Sequence, residues 1–112
     1  MYATPFENVV PETIAPGRTR YITYTDHLML VAVDFNDGPH AQPDPPHSHP
    51  HEQVTYVAEG EVLFFLEGSP TRLGPGSVVR IPSNVPHSIQ ALTAHARLVD
   101  VFTPIREDFL PK

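Results

Sequence analysis

Cysteine is absent from the 112 residues, and charge is scarce at 18%. Without thiols there is no disulfide, no thiolate metal site and no cysteine nucleophile, so any bound metal must rest on histidine, carboxylate or amide ligands. Positive charge is scarcer than negative: 7 basic residues, six Arg and one Lys scattered along the chain, stand against 13 acidic ones, giving a net charge of −6. That balance argues against nucleic acid as a partner, because phosphate binding needs a basic patch. No run approaches the 18 or more apolar residues of a membrane span. The opening Met1-Tyr2-Ala3-Thr4-Pro5 lacks the basic and apolar blocks of a signal peptide, so no membrane partner and a cytoplasmic location are expected. A length of 112 residues predicts one domain, 1–112, with an N-terminal arm over about 1–18, a barrel over about 19–103 and a docked tail over 104–112.

What the chain does have is 14 prolines, against an average usage of about 5%. They recur from Pro5 to Pro111 and exclude long helices, since each would break a helix interior. Between them lie short stretches rich in Val, Ile, Tyr and Phe, bounded by Gly, Pro, Asn and Asp. This pattern predicts strands over 20–25, 28–36, 53–59, 61–67, 71–73, 77–81, 88–92 and 97–103, hence an all-β antiparallel sandwich or barrel. Tyr56 and Phe64 are expected in its core. His27, His40 and His95, in or beside turns, are expected at the surface.

The densest chemistry lies in His47-Ser48-His49-Pro50-His51-Glu52-Gln53. In an extended chain side chains alternate faces, so His47, His49 and Gln53 point the same way. His51 shares that parity, but Pro50 interrupts the alternation beside it. Glu52 has the opposite parity. Two His at i and i+2 with a third ligand four residues on can converge on one cation, and imidazole suits first-row divalent metals. His87 is a fourth contributor, following the strand over 77–81. A solvated histidine cluster is the alternative reading. Near the end of the chain, Leu98, Asp100 and Phe102 share a face. If Leu98 and Phe102 point inward, Asp100 is carried into the barrel, where an unpaired charge is costly. It is there either as a general acid or base or as the structural partner of Arg80 or Arg106.

His47-x-His49-x3-Gln53-x6-Gly60 resembles the first motif of the cupins, and Gly76-x5-Pro82-x-Asn84-x2-His87 resembles the second, with Asn84 where Gly is commonest. The resemblance implies a small jelly-roll barrel, or double-stranded β-helix, around one divalent transition-metal ion (Zn, Ni, Fe or Mn) held by His47, His49, Gln53 and His87, in a protein that commonly forms a homodimer. Gln53 departs from the usual Glu. A neutral amide leaves the ion its full charge, which favours Lewis-acid work on an anionic substrate over redox chemistry. The ending, residues 99–110, resembles the pectin-degradation subgroup of cupins. That likeness implies a reaction pocket lined by Asp100, Phe102 and Arg106, and a ring opening of 4,5-unsaturated uronates to the linear keto form. The partner would be a small anionic molecule of sugar-acid type. The competing expectations are a cupin dioxygenase and a non-catalytic metal-containing sensor module.

Overall fold

The computed structural model of the chain describes residues 2–111; Met1 and Lys112, the ends of the expected 1–112 domain, lie outside the described residues. Nine strands form among the described residues: β1 Glu12–Ala15, β2 Arg18–Tyr24, β3 Met29–Phe35, β4 Glu52–Glu59, β5 Val62–Leu66, β6 Ser69–Leu73, β7 Val78–Ile81, β8 His87–Ala91 and β9 Ala96–Thr103. Two short 3-10 turns, Phe6–Asn8 and Glu107–Phe109, complete the elements. Eight of the strands correspond, within a few residues at each end, to those the sequence predicts. The ninth, β1, is new. It pairs antiparallel with β2 across a two-residue turn at Pro16 and Gly17.

The strands make two antiparallel sheets, one of six in the order β1-β2-β3-β9-β4-β7 and one of three in the order β6-β5-β8. Their inner faces close on a shared interior. Strand β4 shows how sequence sets this up: its residues alternate strictly from Glu52 to Val57, with Gln53, Thr55 and Val57 buried and Glu52, Val54 and Tyr56 exposed. Tyr56 is thus 47% exposed, not in the core, because it has the parity of Glu52. Phe64 is buried as expected. His27 is exposed, whereas His40 is half-buried, its ring edge-on to Phe35.

One end of the interior is an apolar plug of Phe35, Val57, Val62, Val79, Ala91, Ala96 and Leu98. Gly60 turns the chain from β4 to β5 at φ +77°, and a Cβ there would collide with the His95 carbonyl oxygen. Only glycine fits. A second apolar group, Met29, Val31 and Phe102, is covered by Ile105, Phe109 and Leu110 of the tail. The other end of the interior is polar.

Candidate metal centre

Three separate pieces of chain deliver the polar end. The loop before β4 brings His47 and His49, β4 itself brings Gln53, and the first residue of β8 is His87. His47 and His87 are locked together by a reciprocal pair of backbone hydrogen bonds of 3.0 and 2.9 Å. Asn84, before β8, adopts φ +66°, a left-handed conformation that Asn tolerates better than most residues. Its N–H donates to the His49 carbonyl at 2.7 Å, which ties the two histidine segments together.

Nitrogens of His47, His49 and His87 lie within 4.8 Å of one another, close enough to bind one metal ion. The hydrogen bonds decide which nitrogens are free. His49 Nδ1–H donates to the His51 carbonyl at 3.0 Å, and His87 Nδ1–H donates to the Val85 carbonyl at 2.8 Å. A carbonyl only accepts, so each ring carries its proton on Nδ1 and turns an Nε2 lone pair inward. His87 Nε2 is buried with no partner. Burial drives the His87 pKa down to about 4, helped by His47 and His49 nearby and opposed by the Val85 carbonyl. Burial lowers His47 and His49 as well. All three rings are neutral at pH 7 and available as ligands.

Gln53 sharpens the case. Its Oε1 lies 3.1 Å from His49 Nε2. With the proton of His49 on Nδ1, these are two acceptors facing each other inside the protein, an arrangement that costs free energy unless a cation lies between them. The donor set, three imidazoles and an amide oxygen, suits a divalent first-row ion. The residues fit the group that the sequence implies. His51 stands beside the trio rather than within it, its carbonyl orienting His49. Glu52 is exposed and faces away.

Asp100 lies directly opposite Thr55 in the β4–β9 register. Thr55 Oγ1–H donates to its Oδ1 at 2.7 Å. Neither arginine anticipated as its partner pairs with it: Arg80 is exposed on β7, and Arg106 forks onto Asp108 at 2.9 and 3.2 Å. Burial pushes the Asp100 carboxyl up to about 6, against the lowering effect of the Thr55 hydrogen bond and of the Gln53 amide beyond it. Arg106 packs over the rings of Phe109 (4.2 Å) and Phe102 (5.5 Å).

His47, Gln53, His87, Asp100, Phe102 and Arg106, among others, line one cavity of about 170 Å3. A roomier concavity of about 600 Å3 lies by Leu28, Val54, Arg80 and Val101; Gln53 and Phe102 also border it, but none of the three histidines does. The sequence reading did not anticipate Thr55, or the ion pair of Arg18 and Asp44 (2.8 Å) at the edge of the cavity. Thr55 had a signal, its shared parity with Gln53. Arg18 and Asp44, 26 residues apart, had none.

Residues 34–102, more than half of the chain, match the cupin domain family. The pectin degradation protein KdgF of Dickeya dadantii (strain 3937) is 35% identical over 94 residues, 83% of each chain. Quercetin 2,3-dioxygenase of Bacillus subtilis (strain 168) is 27% identical over 110 residues, which cover 88% of this chain and 33% of that protein. Among solved structures, an RmlC-like cupin from Shewanella frigidimarina superposes with a TM-score of 0.88 at 32% identity, covering 98% of this chain and 96% of that one. KdgF from Halomonas sp. superposes with a TM-score of 0.86 at 33% identity, covering 95% and 96%. No helix among the described residues is long and apolar enough to cross a membrane. The nine strands are a jelly-roll barrel with three histidines able to hold a metal at its polar end, and the chain belongs to the cupin family.

Proposed function

We propose that this cupin is a metal-dependent enzyme that opens the ring of a small 4,5-unsaturated uronate, giving the linear keto acid, in the breakdown of pectin or alginate. The observation that carries the reading is the single cavity in which His47 and His87 of the histidine cluster and Gln53 face Asp100, Phe102 and Arg106. Its likeness to two KdgF proteins supports the substrate class. Cavity size does too: sites for drug-sized ligands run to about 300–1,000 Å3, so about 170 Å3 suits a monosaccharide better than an oligomer or a flavonol.

His47, His49, Gln53 and His87 would hold a divalent transition-metal ion, which supplies Lewis-acid polarisation of substrate oxygens when bound. Arg106, braced by Phe102 and Phe109, takes the substrate carboxylate by a two-pronged hydrogen bond in exchange for Asp108. Asp100 takes the proton of the C1 hydroxyl as the bond between C1 and the ring oxygen breaks. The bonding pair stays on the ring oxygen, so C1 becomes an aldehyde and C5 an enolate. Asp100 then returns the proton to C4, and C5 becomes the ketone. No atom is gained or lost. A carboxyl with its pKa near 6 can both accept and release that proton near neutrality. Phe102 closes an apolar wall against bulk water.

The test follows the loss of the 4,5-unsaturated uronate absorbance with wild type, His49→Ala and Asp100→Ala. Wild type is expected to turn over and both variants to be strongly impaired; equal rates in all three would dispose of the site. The match to quercetin 2,3-dioxygenase supports a second reading, a dioxygenase. Oxygen consumption coupled to turnover in the Fe(II)-loaded protein would select it. A retained metal and a thermal shift with sugar acids, but no turnover, would select the sensor module. A cytoplasmic homodimer belongs to the same proposal. The exposed apolar residues Leu30, Val54, Tyr56 and Val78 are a surface a second copy would cover, and light scattering should return twice the mass of 12.4 kDa.

A further inference from the structure

Gln53 poses a problem that a carboxylate ligand would not. A side-chain amide has an acceptor end and a donor end of nearly the same shape, and only the acceptor end can bind a cation. Something must decide which end faces His49. At the donor end, Gln53 Nε2–H donates to Thr55 Oγ1 at 2.9 Å. A hydroxyl can accept there only if its own hydrogen points elsewhere, and Thr55 sends that hydrogen to Asp100 Oδ1 at 2.7 Å. The direction of this chain is therefore set from Asp100 to Thr55 to Gln53, and it ends with Oε1 turned to His49 at 3.1 Å. Flipping the amide would put an oxygen against Thr55 Oγ1, whose hydrogen is engaged, and leave two buried acceptors in contact.

We infer that Thr55 is a positioning residue: its hydroxyl, anchored by Asp100, holds the Gln53 amide with its oxygen toward the histidines and so makes a neutral amide serviceable as a metal ligand. This rests on the metal reading proposed above. It also accounts for the amide itself. A glutamate at position 53 would bring a second carboxylate to a hydroxyl that has one hydrogen to give, beside Asp100. Thr55 is 2% exposed and does not line the cavity, and its hydroxyl bonds Gln53 and Asp100, so its contribution to the metal site runs through Gln53. Orienting partners of metal ligands typically change metal affinity by about 10–100-fold.

The experiment compares wild type, Thr55→Val and Thr55→Ser for Zn2+ and Co2+ affinity by chelator competition, beside the melting temperature of each metal-free protein. Val keeps the shape and loses the hydroxyl; Ser keeps the hydroxyl. The expected result is a loss of about 10-fold or more in affinity for Thr55→Val, near-wild-type affinity for Thr55→Ser, and similar metal-free melting temperatures. A double-mutant cycle separates positioning from loosened packing. In a Gln53→Leu background the Thr55→Val change should cost no further affinity, whereas a packing defect would cost as much as before. If Thr55→Val folds poorly, Thr55→Ala removes the same hydroxyl and must show the same dependence on Gln53. Wild-type affinity in folded Thr55→Val, or an undiminished loss in the Gln53→Leu background, would overturn the role of Thr55 and leave the metal site standing. A wild-type protein that binds neither ion would overturn the metal reading itself, and the role of Thr55 with it.

Discussion

Two aspartates sit on opposite faces of the six-stranded sheet, and they are treated in opposite ways. On the outer face, with the parity of exposed Leu30, Asp34 of β3 is held by both prongs of Arg97 at 2.6 and 2.8 Å, directly across the β3–β9 register. On the inner face, at the histidine end, Asp100 of β9 has a hydroxyl for a partner instead of a guanidinium. The first arrangement satisfies the charge and fastens the strands. The second leaves the charge poorly compensated, and the pKa rises to about 6. Strand β4 divides the inner face further, with Gln53 and Thr55 facing the histidines and Val57 in the plug. The outer pair is built for stability, and the histidine end accepts cost for chemistry.

The sharpest way to break that contrast is to change each aspartate's setting and read both activity and stability. Asp100→Asn keeps the shape and an acceptor for Thr55 but cannot take a proton. Turnover of the unsaturated uronate is expected to fall by on the order of 10²–10⁴-fold, the range of a positioned acid or base, with no loss in melting temperature. Arg97→Met should do the reverse. It leaves Asp34 without its guanidinium, which for a buried pair costs about 3–5 kcal/mol; partial exposure of Arg97 puts the expected loss toward the lower figure. Urea unfolding should show it, while the rate per folded molecule stays at the wild-type value. A drop in turnover equal to that of Asp100→Asn would show that the two faces are not separable.

Much of this division was legible in the sequence. Gly and Pro punctuation marked eight strands because each turn used residues that strands exclude. Within β4, unbroken from Glu52, parity puts Gln53 inside beside Thr55, whereas His47 and His49 lie in the loop before it, across bends at Pro50 and His51, and reach the same place through the backbone pairing of His47 with His87. The parity of Leu98, Asp100 and Phe102 likewise brought Asp100 inside. Other features were hidden for physical reasons. Strand β1 has no buried face, its burial running exposed, exposed, exposed, half-buried, so it carries no alternation to read. Its only signal was the turn dipeptide Pro16-Gly17. Tyr56 looked like core on hydrophobicity, yet the parity argument that turned Glu52 outward applied to it equally. The pairing of Asp34 with Arg97 joins residues 63 apart and is set by strand register, which one sequence does not display.

The smallest effect, and the most specific to the histidine end, is how the stability of the metal-free protein depends on pH. His87 titrates near 4 when folded and near 6.5 when unfolded, so between those values the unfolded chain binds more protons and stability falls as pH falls. His47 and His49, shifted in the same direction, act with the same sign. Asp100 titrates near 6 when folded against 3.8 unfolded, so between those values the folded protein binds more protons and stability rises as pH falls. The two contributions oppose each other between about pH 6 and pH 4. Asp100→Asn removes the opposing one. Its metal-free form should therefore lose stability more steeply than wild type on acidification through this window, in urea midpoints taken at half-unit steps of pH. Parallel curves would mean that Asp100 does not hold its proton in the folded barrel near pH 6, and the contrast with Asp34 would lose its electrostatic basis.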